Sequence, residues 1–155
     1  MTEPDERSDH GAVAIHEEAD TGFLVVAARG VVQAAQARRV LTAIYSHITK
    51  LPHSGDPHFV LIDIRAMTGV SADARHVFAS AMKASGGFRS PGVIATFGGS
   101  SALRLLANGI LTATKLVRPL SRTSVSDEFS VHADEQAARA WLAHRKLHYF
   151  PGSTA

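Results

Sequence analysis

Apolar residues recur along this chain in two rhythms, one of strands and one of helices. AVAIHEE (12–18) and GFLVVAARG (22–30) are β-branched apolar runs separated by Ala19, Asp20 and Thr21, the spacing of an antiparallel hairpin. From Val32 to Leu51 the apolar positions Ala34, Ala37, Leu41, Ile44, Ile48 and Leu51 recur every three or four residues, which predicts a helix lying on a core and stopped by Pro52. FVLIDI (59–64) is almost wholly apolar, so both of its faces should be covered, as in a central strand between helix layers. Ser71 stands where an N-cap belongs, with Asp73 in the next turn, and Val77, Phe78, Ala81 and Met82 carry a second helix to Gly86-Gly87. GVIATF (92–97) reads as another buried strand, Gly98 to Ser101 as a turn, and Ala102 to Val117 as a helix ended by Pro119. EFSVH (128–132) is a short strand, Asp134 a cap, and Ala137, Ala138, Trp141 and Leu142 one face of a last helix.

Strands alternating with helices of this length predict an α/β domain. It should hold a mostly parallel five-stranded sheet, an antiparallel N-terminal strand and about four helices. The domain is expected over 12–146, between a disordered acidic tail (1–11) and a fraying C-terminal tail (147–155). At 155 residues, one such domain can bury a core without staples.

Composition narrows the picture. The chain has no cysteine, which excludes disulfides, thiolate metal sites and a cysteine nucleophile. With no signal-peptide pattern the expected location is cytoplasmic, and no apolar run has the length of a membrane span. The net charge of +2 is unevenly placed. Glu3, Asp5, Glu6 and Asp9 face only Arg7 in the first ten residues, whereas Arg75, Lys83, Arg89, Arg104, Lys115, Arg118 and Arg122 fall in an interval, Asp73 to Asp127, with no acid inside it. That interval reads either as solvated cations on several faces or as a surface for an acidic protein, a phosphorylated ligand or anionic lipid.

The element order, together with LIDIRAMTGVSADARHVF and the closing FSVHADEQAARAWLAHR, resembles the STAS group, the SpoIIAA-like anti-sigma factor antagonists and their relatives, over roughly Val13 to His144. The resemblance implies a non-enzymatic α/β sandwich that works by binding partners. Regulatory members are phosphorylated on a serine of an Asp-Ser-Ser-Gly motif at the start of the second helix. Counted from Asp63, that motif falls here on Ser71, Ala72, Asp73 and Ala74. Ser71 as a displaced acceptor, Asp73 as a permanent charge, and loss of the switch are the open readings, the last favoured. The chain also looks similar in outline to CRAL-TRIO lipid-transfer domains, which leaves an apolar ligand open.

Chemistry-bearing patterns are sparse. The nine histidines contain one i,i+4 helical pair, His144 and His148, without a neighbouring acid, so no metal site and no cofactor is expected. There is no nucleophile elbow and no paired carboxylate signature, hence no catalytic residue. Asp63 is the one acid expected at a central strand end, where open α/β sheets bind ligands. Gly98, Gly99, Ser100 and Ser101, with Arg104 one turn on, could offer backbone N–H groups and hydroxyls to an anion, or could be a plain turn. The broad apolar face of 102–117 predicts deep burial, a homodimer contact, or a lipid. Sparse aromatics and cations argue against nucleic acid. The leading expectation is a non-catalytic bacterial STAS-like signalling or protein-interaction module with an acidic or regulatory protein partner, with Ser71, Asp73 and Arg75 as site candidates. The alternative is a carrier of an apolar or phosphorylated small molecule.

Overall fold

The computed structural model describes residues 11–84, 90–100 and 128–152. Its strands are β1 (Ala12–Glu17), β2 (Leu24–Val32), β3 (His58–Val70), β4 (Gly92–Phe97) and β5 (Glu128–His132), and its helices α1 (Ala34–Thr49), α2 (Ala72–Ala84) and α3 (Glu135–Tyr149). The five strands form one sheet in the order β1-β2-β3-β4-β5, with β1 antiparallel to β2 and every other pair parallel. Three helices are seen among the described residues; the helix expected at 102–117, and any dimer contact through it, lies outside them.

The alternation of side chains along β3 creates two cores. Val60 and Ile62 face a layer made by Ala37, Val40 and Ile44 of α1 and Ala74, Val77 and Phe78 of α2. Phe59 and Leu61 point the other way, joining Phe23, Val25, Val93, Ala95 and Phe97 beneath Ala138 and Leu142 of α3. A continuous apolar run is what a strand covered on both faces requires. The crossovers α1 and α2 share one face, and α3 covers the opposite one.

Two ionic clamps hold α3 there. Arg139 reaches back to the β1–β2 turn, donating to Glu18 Oε1 and Oε2 at 2.7 and 2.9 Å, and takes Glu135 of its own helix at 2.8 Å. Arg145 and Tyr149 both donate to Glu128 Oε1 on β5. The Arg139 hydrogen bonds hold the Glu18 carboxyl down at about 2, well below its ordinary range. Replacing Arg139 with Ala should lower stability by about 1 kcal/mol, a partly exposed pair being screened. The loss should shrink steadily as urea titrations are repeated from about pH 5 down toward pH 2, because a carboxyl with a depressed pKa stabilises above its unfolded value and loses that contribution as pH falls through the folded one.

Three boundaries differ from expectation. The fold begins at Gly11 rather than after it: Gly11 is buried, and its carbonyl accepts from Gln36 Nε2 at 2.6 Å. The C-terminal tail does not start at 147, since α3 runs to Tyr149 and the Tyr149 and Phe150 rings lie 6.3 and 6.5 Å from that of Phe59. Finally, Asp63 is not at a strand end. It closes the pairing of β3 with β4, opposite Phe97, but β3 continues along β2 to Val70.

Candidate functional site

The parallel strands deliver their C-terminal ends to one edge of the sheet, and the sequence candidates gather there in two groups. The first is the start of α2. The Ser71 N–H donates to Val32 O at 2.9 Å, tying the helix start to the end of β2, and Ser71 Oγ accepts from the Ala74 N–H at 3.1 Å. Ser71 is therefore the N-cap that its position predicted, half-buried and with its oxygen engaged by the helix. Asp73 and Arg75 follow in the first turn, both exposed.

The second group lies toward the α3 face. Residues i and i+2 of a strand share a side, which sets Arg65 beside Asp63. The Arg65 backbone N–H, Nε and Nη2 all donate to that carboxylate, at 2.9, 3.0 and 2.7 Å. These bonds hold the Asp63 carboxyl below its usual range. The guanidinium also stands 5.1 Å over the Phe97 ring and 3.8 Å from Glu135 at the start of α3. With both oxygens satisfied, Asp63 is a structural partner of Arg65 and is poorly placed to act as a base or an isolated ligand acid. Arg65 escaped attention in the sequence, although its i+2 spacing from Asp63 on a strand was the available signal.

Gly98 and Gly99 belong to this second group, and their geometry accounts for them without an anion. Both have positive φ, +84° and +73°, a region where side chains are strained. A Cβ on Gly98 would run into the Arg65 side chain, and one on Gly99 would stand 2.9 Å from Ile64 Cδ1. The Gly98 N–H is already donated to His132 O at 3.3 Å. One amide of the suggested anion cradle is thus spoken for, and the glycines allow β4 to leave the sheet directly against β3. Ser100 is exposed; Ser101 and Arg104 lie outside the described residues. The structure thus brings Asp63 together with Gly98 and Gly99 but puts Ser71, Asp73 and Arg75 on the other layer. No group of His, Asp and Glu side chains suited to a metal ion occurs among the described residues, and no described helix is long and apolar enough to cross a membrane.

The charges of the two layers differ. Facing α3, Arg65, Arg139 and Arg145 are all ion-paired and Lys146 donates to Thr21 O. On the α1–α2 layer, Arg38, Arg39 and Arg75 are exposed and form no ion pair among the described residues. Helix α1 contains no acid, and Asp73 is the acid of α2.

No family model matches the sequence, and no curated protein does either. Solved structures do match its fold. An uncharacterised DUF3478-family protein of SpoIIAA-like fold from Shewanella loihica shares 20% identity over 85% of this chain and 93% of its own, with a TM-score of 0.58. An anti-sigma factor antagonist from Mycobacterium paratuberculosis shares 13% identity over 88% and 97%, with a TM-score of 0.50. RsbS from Moorella thermoacetica, in a substituted form, shares 16% over 86% and 97%, also at 0.50. The chain has the SpoIIAA-like α/β fold, in a form whose sequence has moved far from these structures.

Proposed function

We propose that this chain is a non-catalytic, STAS-like signalling or protein-interaction module that binds an acidic partner protein through the exposed start of α2. The observation that carries the reading is the contrast between layers: Arg65, Arg139 and Arg145 on the α3 side are ion-paired, whereas Asp73 and Arg75 stand exposed beside a capped Ser71. Likeness of fold to an anti-sigma factor antagonist supports a partner-binding role. Ser71 serves as a helix cap and Asp73 supplies a fixed charge, so the surface works without a serine switch. Anti-sigma factor regulation is one bacterial setting for such a module.

Affinity isolation from the native host with quantitative mass spectrometry tests this. A specific protein recovered by the wild-type chain should fall at least about tenfold with Arg75→Glu, the scale of a lost charge contact of about 1.4 kcal/mol. Undiminished recovery removes this surface from the proposal. Native mass spectrometry that instead finds a small molecule reproducibly bound, with no protein partner, favours the carrier reading.

A further inference from the structure

We infer that Gly11 and Gln36 are positioning residues for the start of α2, acting on it through the backbone at the end of β2. The inference rests on the interaction reading above and adds to it two residues that belong neither to α2 nor to its exposed surface. The path begins at Gly11, which is buried. A Cβ built there would run into the Val31 carbonyl and stand 3.1 Å from Val32 N, so two stretches of backbone meet with no room for a side chain between them. Gln36, in the first turn of α1, fixes the same residue to that helix. Its Nε2 donates to Gly11 O at 2.6 Å, and its Oε1 accepts from the Gln33 N–H at 3.1 Å.

The end of β2 passes this placement on. Its pairing with β3 slips by one residue between Gly30 and Val31, so the regular ladder is interrupted just before the two residues that Gly11 meets. Beyond the slip, Val31 pairs with Gly69 and Val32 with Val70, the last residue of β3. Ser71 comes next. Its N–H donates to Val32 O at 2.9 Å, and its Oγ caps α2 by accepting from the Ala74 N–H at 3.1 Å. Asp73 and Arg75, the exposed charges of the proposed surface, follow within one turn. From Gly11 to the Ser71 N–H, each link is a main-chain contact or a main-chain hydrogen bond. A side chain can change rotamer to absorb a displacement, but these groups cannot, so a shift of Val31 and Val32 is carried to the cap. The core beneath α3, on the opposite face of the sheet, has no part in the path.

Two variants of the full chain test the coupling. Gly11→Ala forces the Val31 backbone aside, and Gln36→Glu still accepts from the Gln33 N–H but has no proton to give to Gly11 O. In both, NMR should show the Ser71 to Arg75 amide resonances shifted and hydrogen exchange of the Ser71 amide quickened by about tenfold. Recovery of the partner isolated as above should fall about threefold or more. Leu142→Val is the control: it thins the fully buried core beneath α3 and should leave both the Ser71 amide and partner recovery at wild-type values, at a temperature where every variant is folded. Equal effects from Leu142→Val would reduce the role of Gly11 and Gln36 to general stability and overturn the inference. So would changes that stop at Val31 and leave Ser71 as in wild type. If Gly11→Ala does not fold, Gln36→Glu decides by the same exchange measurement. Failure here leaves the Arg75 test standing, because Arg75→Glu acts at the surface itself. Failure to find any partner removes the interaction reading, while exchange at Ser71 still decides the coupling.

Discussion

Stability should fall by about 3 kcal/mol as the pH is lowered from 6.5 to 4, through one buried imidazole. His58 opens β3 and is 1% exposed. Its Nδ1 lies 2.9 Å from Ser90 Oγ, and the Ser90 hydroxyl proton is given to Asp56 O. A hydroxyl has one proton to donate, so Ser90 accepts from His58 and the imidazole carries its hydrogen on Nδ1. Burial, with a smaller contribution from His47, lowers the His58 pKa to about 4 from an ordinary 6.5. The unfolded chain therefore binds the proton first. Between these values it holds more protons than the folded chain, and stability rises with pH across the window.

His58→Asn keeps a donor near Ser90 and removes the titration. It should be less stable than wild type at pH 7, but urea midpoints should show it losing about 3 kcal/mol less between pH 6.5 and 4. Parallel profiles for the two proteins would place the acid sensitivity elsewhere. Desolvation also lowers the His132 pKa, but that residue is unchanged in both proteins and cancels in the comparison. The lowered carboxyls of Glu17, Glu18, Asp63 and Glu128 lose their contribution from their ordinary values of 4.5 and 3.8 downward, which touches the acid end of this window, but they are unchanged in both proteins and cancel in the comparison.

How far the sequence speaks depends on whether a feature is local. β5 and the Asp134 cap are read correctly because alternation over five residues and a cap beside a helical stripe are local signals. The reach of β3 is not local. RAMTGV has no strand-like apolar run, and it is held extended by pairing with β2, where Ala66 faces Arg29 and Val70 faces Val32. The end of α3 misleads for a related reason: Pro151 and Gly152 look like a frayed tail, yet the two aromatics before them have a distant partner in Phe59. At the candidate site, Ser71 is legible as a cap because capping needs only its own helix. The fate of Asp63 depends on recognising β3 as a strand running past Asp63, which places Arg65 on the same side. Pairing of the exposed cations is equally hidden, since Arg139 finds Glu18 across 121 positions of sequence while Arg38 and Arg39 find no ion-pair partner among the described residues.

Gly98→Ala should be the most damaging single methyl in this region, at about 2–4 kcal/mol, and its cost has two separable parts. The first is the backbone: φ is +84°, which an alanine holds only under strain of roughly 1–2 kcal/mol. Gly55 is the internal control, with φ at +94° and nothing within 4 Å of a built Cβ, so Gly55→Ala should show the backbone part alone. The second part is the close approach of β4 to β3. The new methyl would collide with Arg65 Cγ and stand 3.2 Å from the Arg65 backbone Cα and N. Truncating the side chain in Arg65→Ala should relieve the first of these contacts and leave the second, so the double variant recovers a fraction of the loss. Because Arg65→Ala also frees the Asp63 carboxylate and uncovers Phe97, the comparison requires a complete double-mutant cycle by urea unfolding. A coupling near zero would mean that the turn yields instead of Arg65, and that Gly98 is needed for its φ alone. A favourable coupling of about 1 kcal/mol or more would show that contact with β3 selects glycine here, which is the structural account of the Gly98-Gly99 pair.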